Sequence, residues 1–146
     1  MKEKPGKINA TVVSGAVHGY PDGQPDAADR MEDLLSSVYD VIHKVSDYHG
    51  GEVYHYTGRE FGILFRDDKR KKSSLKALDA VSELQEKLRE LNYSGQPLPI
   101  SMKAGLDYGE IITGFLGKEG GRHRTYLGVT MDIAHRIRMI ANWDQL

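Results

Sequence analysis

The chain of 146 residues contains no cysteine, so no disulfide can staple it and no zinc site can draw on thiolates, an absence that fits a cytosolic setting. It also lacks any run approaching the ~20 consecutive apolar residues that a membrane-spanning helix requires. Its first residues, Met1-Lys2-Glu3-Lys4-Pro5-Gly6-Lys7, carry no apolar stretch of the kind found in signal peptides. Neither sign of charge is in excess: 20 Lys and Arg face 21 Asp and Glu, a formal net charge of -1, which gives no overall pull towards nucleic acid or acidic lipid. Any anion site has to be local. Low-complexity segments, internal repeats and linkers are missing as well. These absences point to a cytoplasmic globular protein with no membrane segment and no nucleic-acid partner, and the length suits one domain, residues 1–146.

The apolar residues that are present fall into recognisable patterns. Ile8 to Ser14 is β-branched and free of proline, a predicted strand running into a glycine-containing turn at Gly15 to Gly19. From Asp26 the period approaches that of a helix: Met31, Leu34, Leu35, Val38, Val41, Ile42 and Val45 form one stripe, with Asp26 or Asp29 as N-cap and Gly50-Gly51 as the stop. Val53 to Thr57 and Phe61 to Phe65 read as a β-hairpin across Gly58-Arg59-Glu60. After the charged turn Asp67 to Lys72, the residues Leu75, Leu78, Val81, Leu84, Leu88 and Leu91 mark a second helix, ending before Gly95 and Pro97. Ile100 to Leu106 and Gly109 to Gly114 read as two strands joined by a turn at Asp107-Tyr108-Gly109. A glycine-rich loop, Gly117 to Gly121, a short strand at Arg124 to Leu127 and a helix with Met131, Ala134, Ile137 and Ile140 complete the chain. Two amphipathic helices separated by a hairpin bury their stripes on one face of a mostly antiparallel sheet, which predicts an α+β fold with a ferredoxin-like βαββαβ core.

Three segments, taken together, resemble the catalytic domain of class III adenylate and guanylate cyclases. Gly105 to Gly117 is similar to the family's G-I-H-T-G-E-V-V-V-G-N-L-G, with Gly105, Gly109, Glu110, Gly114, Leu116 and Gly117 identical. Gly50-Gly51-Glu52-Val53 through Phe65 is similar to G-G-E-V-V-K-T-I-G-D-G-F-L-A-L-F, and Gly128 to Arg136 to G-D-T-V-N-L-A-A-R. They occur in the family's order and span nearly the whole chain. Family domains usually continue with additional sheet and helix where this sequence stops at Trp143-Asp144-Gln145-Leu146, so either the fold is trimmed at its C-terminus or the sequence is cut short of the domain's end.

The resemblance implies a particular chemistry. Class III cyclases activate a ribose 3′-hydroxyl and neutralise a triphosphate with two metal ions held by two aspartates. The first lies in F-x-D-I-x-G-F, which falls on Ser14 to Tyr20 and puts Ala16 at the acid; the second lies in G-D of the hairpin, which falls on Gly58-Arg59. One neutral methyl and one guanidinium thus stand where two carboxylates are expected, and a divalent cation meets repulsion instead of ligands. Arg59 can offer its fork to a phosphate but cannot serve as a base. The base-selecting lysine is replaced by His55, and the second base-selecting position falls on Thr125. The transition-state asparagine becomes Asp132, whose charge opposes a triphosphate, while its partner arginine is retained as Arg136.

Blander readings exist for each feature. Arg136 also suits a solvated helix face. The six histidines show no paired helical spacing that a zinc site prefers. Gly117 to Arg124 is not a P-loop and reads as an exposed turn, and Lys69 to Lys72, without interleaved aromatics, as a solvated one. The expectation is a pseudo-cyclase for signalling or regulation: a homodimer, or a heterodimer with another cyclase domain, that binds ATP or GTP. No cofactor is expected, with Mg or Mn entering only on ligands from a partner. Supplying half of a composite site to an aspartate-bearing partner is the alternative, and residual homodimeric catalysis a third.

Overall fold

A computed structural model describes residues 6–19, 27–93, 95–116 and 123–143. Its organising strand is β1, Gly6–His18, in which every residue from Ala10 to Val17 is buried. Side chains alternate across a strand, so burial of consecutive residues means that both faces are covered. β1 pairs antiparallel with β3, Glu60–Arg66, on one side and with β6, Ser101–Leu116, on the other. Adding β2, Gly51–Tyr56, and β7, His123–Leu127, gives a five-stranded sheet in the order β2-β3-β1-β6-β7.

Two helices cover one face. α1, Ala27–Tyr48, and α2, Ser73–Arg89, bury Leu34, Val38, Ile42, Val45, Val81, Leu84 and Leu88 against Val13, Val17, Phe61, Ile63 and Phe65. α3, Val129–Ile140, covers the other, where Ala134 joins Ala10, Val12, Leu64, Ile111 and Tyr126. The expected α+β, ferredoxin-like order of elements is therefore the one observed. No helix among the described residues is long and apolar enough to cross a membrane, which says nothing of a β-barrel.

Several local expectations need correction. Gly15 to His18 is not a turn but the end of β1, paired to β6 throughout and to β3 as far as Ala16, with Gly19 beyond it at φ 122. Asp107-Tyr108-Gly109 is not a turn either: β6 runs straight through, Asp107 opposite Val12 and Gly109 opposite Ala10. Leu75 and Leu78 are exposed on α2 while Ala77 and Ala80 are buried, because the inward face lies one residue round from the leucine stripe. Ile140, expected in the core, is 83% exposed. A two-stranded ribbon, β4 (Asn92–Tyr93) with β5 (Gln96–Pro97), was not foreseen. Asp26, Tyr20 and the Gly117 to Gly121 loop lie outside the described residues, as does the side chain of Asp29.

The glycines that imitated turn signals serve close packing. A Cβ on Gly105 would stand 2.2 Å from the Ala134 carbonyl oxygen and 2.4 Å from the Arg138 nitrogen, and one on Gly109 2.5 Å from Thr130 Oγ1. Only bare backbone lets α3 lie this near β6. Gly105→Ala should therefore cost about 3 kcal/mol or more in urea denaturation, whereas Gly114→Ala, where nothing lies within 4 Å of the added carbon, should cost under about 1. Equal costs would contradict the packing assigned here.

The turn before α2 is organised by carboxylates. Asp67 Oδ1 accepts the Ser73 N–H at 3.0 Å, and Asp68 Oδ1 accepts those of Arg70 and Lys71 at 2.8 Å while its other oxygen pairs with the buried Lys76. The Lys76 hydrogen bond, and after it the two backbone donors, hold the Asp68 carboxyl down to about 2 against its ordinary 3.8. A depressed folded value means that the stabilisation is complete above the ordinary value and lost as pH falls through the folded one. Asp68→Asn should flatten the stability profile between about pH 4 and about pH 2 in acid-unfolding curves; an unchanged slope would refute the assignment.

Candidate functional site

The two positions expected to carry the metal-binding acids lie one residue out of register with each other at the end of the β1–β3 pairing. β1 and β3 run in register with Ala16 opposite Glu60, and the Val17 N–H donates to the Arg59 carbonyl at 2.8 Å, closing the end of β1 onto the hairpin tip. Ala16 is buried, and Arg59 is exposed. Arg59 borders a cavity of about 420 Å³ with Met31, Leu35, Thr57, Gly58 and Glu60.

Beneath this corner lies a residue that sequence reasoning missed. Arg138 of α3 is 2% exposed, donating from Nη1 to the Gly15 carbonyl at 3.2 Å and from Nη2 to Glu60 Oε1 at 3.3 Å and to His135 Nδ1 at 2.9 Å. A guanidinium this deep needs a countercharge, which Glu60 supplies. The signal was there as an i, i+4, i+8 row: Thr130, Ala134 and Arg138 are the buried residues of α3. Sequence patterning assigns Ala134 to a stripe with Met131, Ile137 and Ile140, and neither Thr130 nor Arg138 is apolar, so this row does not stand out.

These residues do not fit a divalent ion. Ala16 has no ligand atom, Arg59 carries the wrong sign, and Glu60, the carboxylate opposite Ala16, is engaged by Arg138. Among the described residues no group of three or more His, Asp or Glu is placed to hold a metal.

The remaining candidates are dispersed. His55 is exposed on β2 and Thr125 half-buried on β7, the opposite edges of the sheet. The edges nonetheless approach on the α3 face. A register shift between Val53 and His55 inserts Tyr54, whose ring lies over Gly62 and sits edge-on to Tyr126 at 5.9 Å, and the Tyr126 hydroxyl bonds to Glu52. Burial pushes the Tyr54 phenol up to about 12. Asp132 and Arg136 are exposed on α3.

The contrast between Arg138 and Arg136 is testable by substitution. Arg138→Ala strips a buried cation from three acceptors and should lower the unfolding free energy by about 3 kcal/mol. Arg136→Ala, on the exposed side of the same helix, should change it by less than about 0.5. Chemical denaturation with comparable losses for both would contradict this burial.

No family model matches the chain, and no curated protein matches it by sequence. Solved structures do. A non-canonical dimeric guanylyl cyclase domain of the RhoGC fusion protein from the aquatic fungus Blastocladiella emersonii superposes with a TM-score of 0.81 at 14% identity, covering 97% of this chain and 79% of that one. The adenylyl cyclase CyaB from P. aeruginosa gives 0.80 at 16% identity, over 96% and 76% of the two chains. The guanylate cyclase domain of RhGC from Catenaria anguillulae, solved in complex with GTP, gives 0.80 at 14% identity, over 95% and 77%. At these identities the likeness establishes architecture, and on it the chain has the fold of the class III adenylyl and guanylyl cyclase catalytic domains.

Proposed function

We propose that the chain is a degenerate nucleotide cyclase domain that dimerises, binds ATP or GTP, and forms no cyclic product by itself, acting as a signalling or regulatory partner. The observation that carries this reading is the junction of Ala16 with Arg59 through the Val17-to-Arg59 backbone bond. Cyclisation needs cations beside the ribose hydroxyl and the triphosphate, and the junction offers them a methyl group and a guanidinium. A guanidinium offers no basic lone pair, so Arg59 cannot take the hydroxyl proton in their place.

Dimerisation is supported by the outer side of α3, where Val129, Ile133 and Ile140 are exposed near the exposed Leu127 of β7. Apolar side chains at such spacing form a stripe that association would cover. The Blastocladiella domain is described both as a non-canonical dimer and as a monomer, so association of this fold is compatible with, though not required by, that relative. Nucleotide binding is supported by the GTP complex of the Catenaria domain and by the cavity beside Arg59. A composite site is the second reading, favoured by the exposure of Arg136 and Asp132, which leaves them accessible to another chain. Mg or Mn would then come on the partner's ligands.

Incubation with ATP or GTP and Mn²⁺ should give no cyclic nucleotide above a protein-free control, and turnover would refute the reading. Adding an aspartate-bearing cyclase domain separates the two versions: a rise that Arg136→Ala abolishes favours the composite site, and no rise favours the regulatory domain.

A further inference from the structure

α3 lies on β6 and β1 as the one helix of its face among the described residues, so its outer side stands clear of the sheet. Along that side Val129, Ile133, Arg136 and Ile140 are exposed at intervals of four, three and four residues, the spacing of a seam that meets another helix. Asp132 stands beside the seam, four residues before Arg136 and on the same side. Among the described residues neither charge has an ion pair or a hydrogen bond.

This order of residues is complementary to itself. When the helix is laid antiparallel on its copy so that Val129 meets Ile140, Ile133 meets Arg136, and Arg136 comes within one position of the partner's Asp132. The two-fold axis then passes through the midpoint of Val129–Ile140, so all of the helix, about 18 Å, takes part. The Arg136 stem can pack on the partner's Ile133 while the guanidinium reaches the partner's Asp132, and apolar pairs close both ends. A parallel pairing would instead set Arg136 against the partner's Arg136, like charges in one layer.

We propose that the chain forms a two-fold dimer by antiparallel contact of α3 with the α3 of a second copy, Val129, Ile133 and Ile140 supplying the apolar contact and Arg136 with Asp132 setting its direction. The proposal rests on the dimerisation reading and adds to it an orientation, a charge pairing and a consequence. Arg136 and Asp132 are covered in such a dimer, so a composite site with another cyclase domain forms only once the copies part. One pair of short helices is a contact of the small, transient class, and association is expected to be weak and concentration-dependent.

Sedimentation across a range of concentrations and disulfide trapping test this on the whole chain, whose lack of cysteine makes any introduced thiol unique. Val129→Cys mixed with Ile140→Cys should yield an oxidised mixed dimer. Either variant alone should yield little, because like positions would lie about 16 Å apart along the helices, beyond disulfide reach. Arg136→Glu should weaken association about tenfold, since it sets an acid against the partner's Asp132 at both ends of the two-fold. Adding Asp132→Arg to that variant should restore it. Trapping of Val129→Cys with itself, absence of the mixed product from a sample that sediments as a dimer, or an Arg136→Glu dimer as tight as the unaltered one would overturn this geometry and leave dimerisation standing. A loss that Asp132→Arg does not restore would overturn the charge pairing. A monomer at every concentration would overturn both the geometry and the dimerisation reading.

Discussion

β1 is paired along most of its length to β3 on one side and β6 on the other, and the last of its bonds to the hairpin, from Val17 to Arg59, fixes which residues share the sheet's end. With both faces of the strand buried, a one-residue slip would turn Val12 and Val13 onto the wrong cores, so the register is tightly held. The positions of Ala16, Glu60 and Arg59 follow from that register. Chemistry at this corner is thus decided by which side chains the sequence writes there, the backbone being that of the cyclase fold.

α3 imposes the second constraint. Its approach to β6 is close enough to require Gly105 and Gly109, and it carries the Arg138 guanidinium under the corner. A buried cation is expensive unless paired, and Glu60 is the available partner. Through that ion pair and its hydrogen bond to the Gly15 carbonyl, Arg138 joins the end of β1, the hairpin tip and the last turns of α3.

What sequence reading captured and missed divides along physical lines. Period and alternation were sufficient for α1, the β2-β3 hairpin and the order of elements, because those segments bury large apolar residues at regular spacing. The resemblance brought Ala16 and Arg59 together in advance, and their strands do join. Asp107-Tyr108-Gly109 misled because a glycine required by a helix packed across the sheet looks, along the chain, like a glycine required by a turn. Arg138 was invisible for a related reason: its environment is made by residues more than thirty positions away, Glu60 and Gly15. The insertion of Tyr54 on β2 depends on a bulge that no local pattern announced.

The central claim is that the corner formed by β1 and the hairpin tip cannot hold a divalent cation. Paramagnetic broadening of backbone amides by Mn²⁺ measures this directly, since the Val17 and Arg59 amides lie at that corner. Both resonances should broaden no more than those of exposed residues elsewhere on the surface. Selective loss of the Val17 and Arg59 signals at low Mn²⁺ would contradict the account.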